Sequence, residues 1–148
     1  MSNVFKGQYD CSIDSDGRIE LPTPYREIAS SPRFTITRGF QTCLFVYSAD
    51  RWQAIEDQLR TVEPGRWEAR DFYRTVLRWA FDAALDEHGR LTVPQPLRDF
   101  AELEEEALVL GAVDHIEIWA PPVFTTYVNQ SRHDYGTLAG YLFGNGRE

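Results

Sequence analysis

DSDGRIELPTPYR occupies residues 14–26, and DEHGRLTVPQPLR occupies residues 86–98, 72 positions later. In both stretches an Asp opens a tight turn and Gly-Arg closes it. An apolar strand then runs into Pro-x-Pro, and an Arg follows. One such stretch would mark a turn. Two at a fixed offset mark an architecture, because self-similarity at a constant period signals duplicated structure.

The register extends outward without gaps. Tyr9 aligns with Phe81, Asp10 with Asp82, Ile13 with Leu85 and Asp14 with Asp86. Pro22, Pro24, Arg26 and Ala29 meet Pro94, Pro96, Arg98 and Ala101. Farther on, Gly39 meets Gly111, Leu44 meets Ile116, Val46 meets Ile118, Tyr47 meets Trp119 and Trp52 meets Phe124. Each unit therefore repeats about 45 residues.

Within a unit the pattern is simple. Residues 8–13 form a strand, and Gly17 supplies the positive φ of a turn. Arg18 to Leu21 returns with strict alternation, Ile19 and Leu21 on one face and Arg18 and Glu20 on the other. Thr23 is placed to cap a short helix starting at Pro24. Strands follow at 34–37 and 43–47, and RLTV, PLRDFA, ALVLG and HIEIW restate the scheme. Between the units, Trp52, Ile55, Leu59 and Val62 define one helix capped by Ser48, and a second is expected over 66–81.

The expected fold is α+β. Two such half-units interlock their hairpins into a single small closed barrel, which removes exposed strand edges. The first repeat covers 8–52, a helical connector 53–78, the second repeat 79–122 and a C-terminal tail 123–148.

Composition narrows the function. The 148 residues suit one domain with a real core, and 43% apolar and 14% aromatic content is too rich for disorder. No apolar run is long enough to span a membrane, and MSNVFKGQYD has no secretory h-region, so a cytoplasmic protein is expected. Cys11 and Cys43 match no zinc spacing and read as two free buried thiols. The net charge of −8 is uneven: residues 1–74 carry 10 basic and 11 acidic side chains, residues 75–148 carry 5 and 12. Such a chain does not coat nucleic acid indiscriminately, so DNA binding requires a local basic patch or charge summed over subunits.

The segments VFKGQYDCSIDSDGRIELPTPYRE, CLFVYSADRW, ALDEHGRLTVPQPLRDFA and LGAVDHIEIW resemble the landmarks of the MraZ family in order and spacing, over roughly residues 4–124. The resemblance implies tandem SpoVT-AbrB repeats, with a barrel of the swapped-hairpin type, in a bacterial, nucleoid-associated DNA-binding transcriptional regulator. It implies closed homo-oligomeric rings that bind double-stranded promoter DNA in the division and cell-wall gene cluster, the protein's own promoter included. The family's DNA contact through the Gly-Arg arm falls on Arg18 and Arg90, with Gly17 and Gly89 shaping the arms. Where the family usually has Lys this chain has Asp16, and the second-unit equivalent is His88, which completes the expected contact set.

Each motif has a structural alternative. Arg18 and Arg90 present guanidinium to phosphate or guanine edges, or they pair with Asp14 and Asp86 beside them. Arg26 and Arg98 are expected to bridge to carboxylates and hold their helices. The Asp residues read as turn formers: in a calcium-loop register Ser12 and Thr23 fall where carboxylates are needed. Arg66, Arg70, Arg74 and Arg78 recur every four residues as a basic stripe, interleaved with Glu68 and Asp71. Glu102 and Glu104–Glu106 form a solvated acidic edge, and His115 reads as a satisfied strand histidine. No spacing asks for a nucleophile, metal or cofactor, so an enzyme is not expected. A ring-forming protein-interaction scaffold is the alternative function, favoured by Asp16 and the acidic charge.

Overall fold

The computed structural model describes residues 3–131 and 133–144. The first unit contains β1 (Gln8–Ser12), β2 (Arg18–Glu20), α1 (Thr23–Ile28), β3 (Arg33–Arg38), β4 (Leu44–Ser48) and α2 (Ala49–Arg60). A connector holds α3 (Trp67–Thr75) and one 3-10 turn (Leu77–Trp79). The second unit contains β5 (Phe81–Ala84), β6 (Arg90–Thr92), α4 (Gln95–Ala101), β7 (Glu106–Gly111), β8 (Ile116–Trp119) and α5 (Pro121–Gln130), and α6 (Tyr135–Phe143) follows. Because α2 starts at 49 and α5 at 121, the offset of 72 persists through the helix after each fourth strand.

The strands interlock between units. β1 pairs antiparallel with β7, and β5 pairs antiparallel with β3. β2 and β6 pair with each other as a two-stranded ribbon. The other six strands make one sheet in the order β1-β7-β8-β4-β3-β5. Among the described residues no closed barrel is detected: β1 and β5 stand at the two ends of the six-stranded order. β2 and β6 pair with each other, and the chain beyond β1 meets β2 at the Ile13–Ile19 bridge. The ribbon supplies Ile19, Leu21, Leu91 and Val93 to the same buried cluster as Ile36, Val46, Val109 and Ile118 of the sheet. All eight side chains are fully buried. At ~2 kcal/mol or more per buried aliphatic side chain, this shared core binds ribbon to sheet.

Strand alternation gives the sheet a second apolar face. Leu44 and Val46 point into the main core, while Cys43, Phe45, Leu108 and Trp119 form a cluster on the other side. Phe124 of α5 stands edge-on to Trp119, and Trp52 of α2 packs on Tyr47. Cys43 is buried, and burial raises its thiol pKa to about 12; Cys11 is only half-buried.

Both short helices begin with proline. Pro22 and Pro94 are the N-caps, and Pro24 and Pro96 sit in the first turns, where the missing N–H has no intrahelical partner to lose. Thr23 therefore lies inside α1 rather than at its cap, and its Oγ1 accepts from Arg26 Nη2 at 2.6 Å. Tyr25 anchors α1: its buried hydroxyl donates toward the carbonyls of Lys6 and Gly7 at 2.8 and 2.9 Å. The helix expected over 66–81 ends sooner. Phe81 pairs opposite Ile36, which requires extended backbone from Ala80 onward (φ −87°, ψ 123°).

Candidate nucleic-acid interface

The two Asp-x-x-Gly-Arg turns lead into the ribbon, and each is built around one carboxylate. Asp14 Oδ1 accepts the backbone N–H groups of Asp16 and Arg18 at 3.0 and 2.9 Å. Its other oxygen accepts Arg18 Nε at 2.8 Å. Asp86 repeats the arrangement: Oδ1 takes the N–H of His88 (2.8 Å) and Arg90 (2.9 Å), and Oδ2 takes Arg90 Nε (3.0 Å). The turns close through Gly17 N to Asp14 O and Gly89 N to Asp86 O, both 3.0 Å. These bonds favour the ionised acid. The Arg18 backbone N–H, and then its guanidinium, hold Asp14 below the usual carboxylate range, and Arg90 does the same for Asp86. Arg18 is in turn held above the ordinary arginine value by its bond to Asp14.

Ribbon register then fixes where the arginines point. Ile19 faces Leu91 across the ribbon, both inside. Arg18 opposite Thr92, and Glu20 opposite Arg90, consequently share the outer face. The Arg18 and Arg90 side chains are 36% and 31% exposed. Arg18 Nη2 also reaches Asp16 Oδ2 at 3.1 Å, and Arg90 Nη1 lies 3.8 Å from Asp14 Oδ2 in the other unit. Among the described residues, Arg18 Nη1 and Arg90 Nη2 have no hydrogen-bond partner. The arrangement is a pair of guanidiniums held by their inner edge, each with outer N–H donors available. His88 is at the tip of the second turn, exposed and 3.6 Å from Glu87. Gly17, Arg18, His88, Gly89 and Arg90 are thus brought together on one ribbon and its turns, and the local ion pairs are present as well.

Arg26 and Arg98 depart from expectation. Among the described residues neither forms an ion pair. Arg98 Nε donates to Val93 O at 2.9 Å, and Arg26 bonds Thr23. Each crosses to the other unit's turn: a β-carbon on Gly17 would lie 2.6 Å from Arg98 Cζ, and one on Gly89 would overlap Arg26 Nη1. The glycines also sit at φ +83° and +77°. The constant nine-residue spacing from glycine to arginine, 17 to 26 and 89 to 98, was the available signal. Its destination depends on the strand exchange, which spacing does not encode.

Three of the four arginines of the basic stripe are locally engaged. Arg66 pairs Glu68 at 3.1 Å, Arg70 donates to Gly65 O at 2.8 Å, and Arg78 stacks 5.0 Å from the Trp79 ring centre. Glu102 and Glu104–Glu106 are exposed. His115 is only half satisfied: Nδ1 meets Asp114 at 2.8 Å, but buried Nε2 stands 3.6 Å from Glu117. No group of His, Cys, Asp and Glu suited to a metal ion occurs among the described residues. No helix among them is long and apolar enough to cross a membrane. The aromatic residues of α6 are exposed rather than docked on their own domain, and the terminal NGRE lies outside the described residues.

Comparison with known proteins agrees with the duplication. The model of the MraZ protein family matches twice, over residues 4–74 and 76–138; its description adds "antitoxin-like". A protein of Alkaliphilus metalliredigens (strain QYMF), named transcriptional regulator MraZ, is 39% identical over 139 residues, covering 94% of this chain and 96% of its own.

Proposed function

Because the chain belongs to the MraZ family of transcriptional regulators, we propose that it binds double-stranded promoter DNA through the twin arms that carry Arg18 and Arg90. The observation that carries this reading is the equivalence of the two arms. Each holds its arginine by an aspartate from behind, on the outer face of one rigid ribbon. Oriented planar guanidiniums suit phosphate oxygens and guanine edges. The sequence to be read is a set of short repeated promoter boxes, including those before the protein's own gene in the division and cell-wall cluster. The protein acts as a closed homo-oligomeric ring, cytoplasmic and nucleoid-associated. Exposed apolar residues support self-assembly: Phe40 is 87%, Tyr135 89% and Phe143 81% exposed. A ring turns weak single contacts into strong collective ones.

The test is a titration on DNA from upstream of the gene, at two salt concentrations, beside random DNA of equal length. Preference for the upstream DNA, falling steeply with salt and lost in Arg18→Ala, is the expected result. Equal binding by wild type and Arg18→Ala removes the arm from the account.

Asp16 favours a second reading. Its carboxylate takes one edge of Arg18, and the chain carries net charge −8. A ring-forming scaffold for protein partners, with weak DNA binding, fits that charge. Light scattering that shows an intact oligomer, together with no preference for upstream over random DNA, would select it.

A further inference from the structure

We propose that each DNA-contact arm is completed by an arginine from the opposite unit: Arg98 belongs to the arm of Arg18, and Arg26 to the arm of Arg90. The inference rests on the DNA-binding reading above and adds two residues to its contact surface.

Local charge makes the first argument. Asp14, Asp16 and Arg18 sum to −1 at the first turn. Asp86, Glu87 and Arg90 sum to −1 at the second. A turn of net negative charge repels phosphate. The guanidinium of Arg98 lies against Gly17, and that of Arg26 lies against Gly89, so each turn becomes neutral only through the other unit.

Pairing makes the second argument. Arg18 is bound to Asp14 and Asp16, and Arg90 to Asp86. Among the described residues Arg26 and Arg98 have no carboxylate partner. Arg98 donates through Nε to the Val93 carbonyl, which leaves both terminal nitrogens for a ligand. The uncompensated positive charge at each arm is therefore the crossing arginine. Arg18 and Arg90 are fixed by their acids, and Arg98 and Arg26 carry the balance that lets an anion approach. Strand exchange between the units is what delivers them there.

The experiment uses the full chain and its upstream DNA, with folding followed by circular dichroism and assembly by light scattering. Arg98→Gln is expected to weaken binding about tenfold, the scale of one charge-assisted hydrogen bond. It should also lower the salt slope by about one for each arm engaged. Adding Asp16→Asn to that variant restores the local charge and should recover most of the loss; Arg98→Lys should retain the salt slope. A purely packing role predicts no recovery by Asp16→Asn, and that result overturns the proposal. So does Arg98→Gln binding like wild type while Arg18→Ala is defective, an outcome that leaves the primary arms intact. If Arg98→Gln does not fold, Asp16→Asn alone decides: tighter DNA binding supports the charge balance, and unchanged binding contradicts it. Loss of upstream preference in wild type would instead remove the DNA reading itself.

Discussion

Arg26 of the first unit fills the space that a β-carbon on Gly89 of the second would need. Arg98 stands in the same relation to Gly17. Both glycines are doubly constrained, by positive φ and by a neighbouring guanidinium. Gly17→Ala and Gly89→Ala should each cost about 1–3 kcal/mol, from left-handed strain plus a displaced arginine. Gly65 has open space around its β position and no positive φ. Gly65→Ala should therefore stay within about 0.5 kcal/mol of wild type. Urea unfolding of the three variants checks the contrast.

The turn carboxylates tie stability to acid. Asp14 and Asp86 are held below the ordinary value by the Arg18 and Arg90 backbone N–H groups and side chains. Their stabilisation is present above the unfolded carboxyl pKa near 4 and disappears as pH falls through the lower folded value. Replacing both with Asn should flatten the fall in urea midpoint between about pH 5 and pH 3. An equally steep fall in the double variant would show that other acids control it.

His115 works in the opposite direction. Burial opposes its charge, but the carboxylates of Glu117, 3.6 Å from Nε2, and of Asp114, 2.8 Å from Nδ1, outweigh burial and raise its pKa. Its stabilisation is complete below the ordinary histidine pKa, about 6.5, and fades as pH rises through the higher folded value. An NMR titration should place the His115 midpoint above the ordinary value, and Glu117→Gln should lower it. A wild-type midpoint below about 6.5 would mean that burial dominates.

Tyr25 ties α1 to the N-terminal segment through its buried hydroxyl. Tyr25→Phe keeps the edge-on packing on Phe5 and Tyr9 while leaving both carbonyls without that donor. A loss of about 1–2 kcal/mol is expected in thermal or urea unfolding. A neutral substitution would show that water replaces the hydroxyl.

Much of this molecule was legible because it is written twice. The Asp-to-Arg turns, the inward Ile19 and Leu21, and the proline-started helices follow from residue type and alternation. Local sequence does not say which strand accepts which. β1 finds β7 and β5 finds β3 through contacts more than twenty residues apart in sequence, and those pairings interlock the two units. The helix expected over 66–81 failed for the same reason, because Phe81 is claimed by a strand partner. The candidate arms were readable as Arg18 and Arg90. The crossing arginines were not, because Arg26 and Arg98 lie on the same chain segment as one turn and against the other. By its strand position His115 reads as a satisfied histidine, yet among the described residues its Nε2 has no hydrogen-bond partner and stands 3.6 Å from Glu117.

The most direct measurement compares Arg18→Ala, Arg90→Ala and the double variant on upstream DNA by fluorescence anisotropy, with assembly matched by light scattering. Twin arms on a duplicated ribbon predict similar losses for the two single variants, a deeper loss for the double, and a salt slope that shrinks stepwise. Wild-type affinity and slope in the double variant would contradict the account.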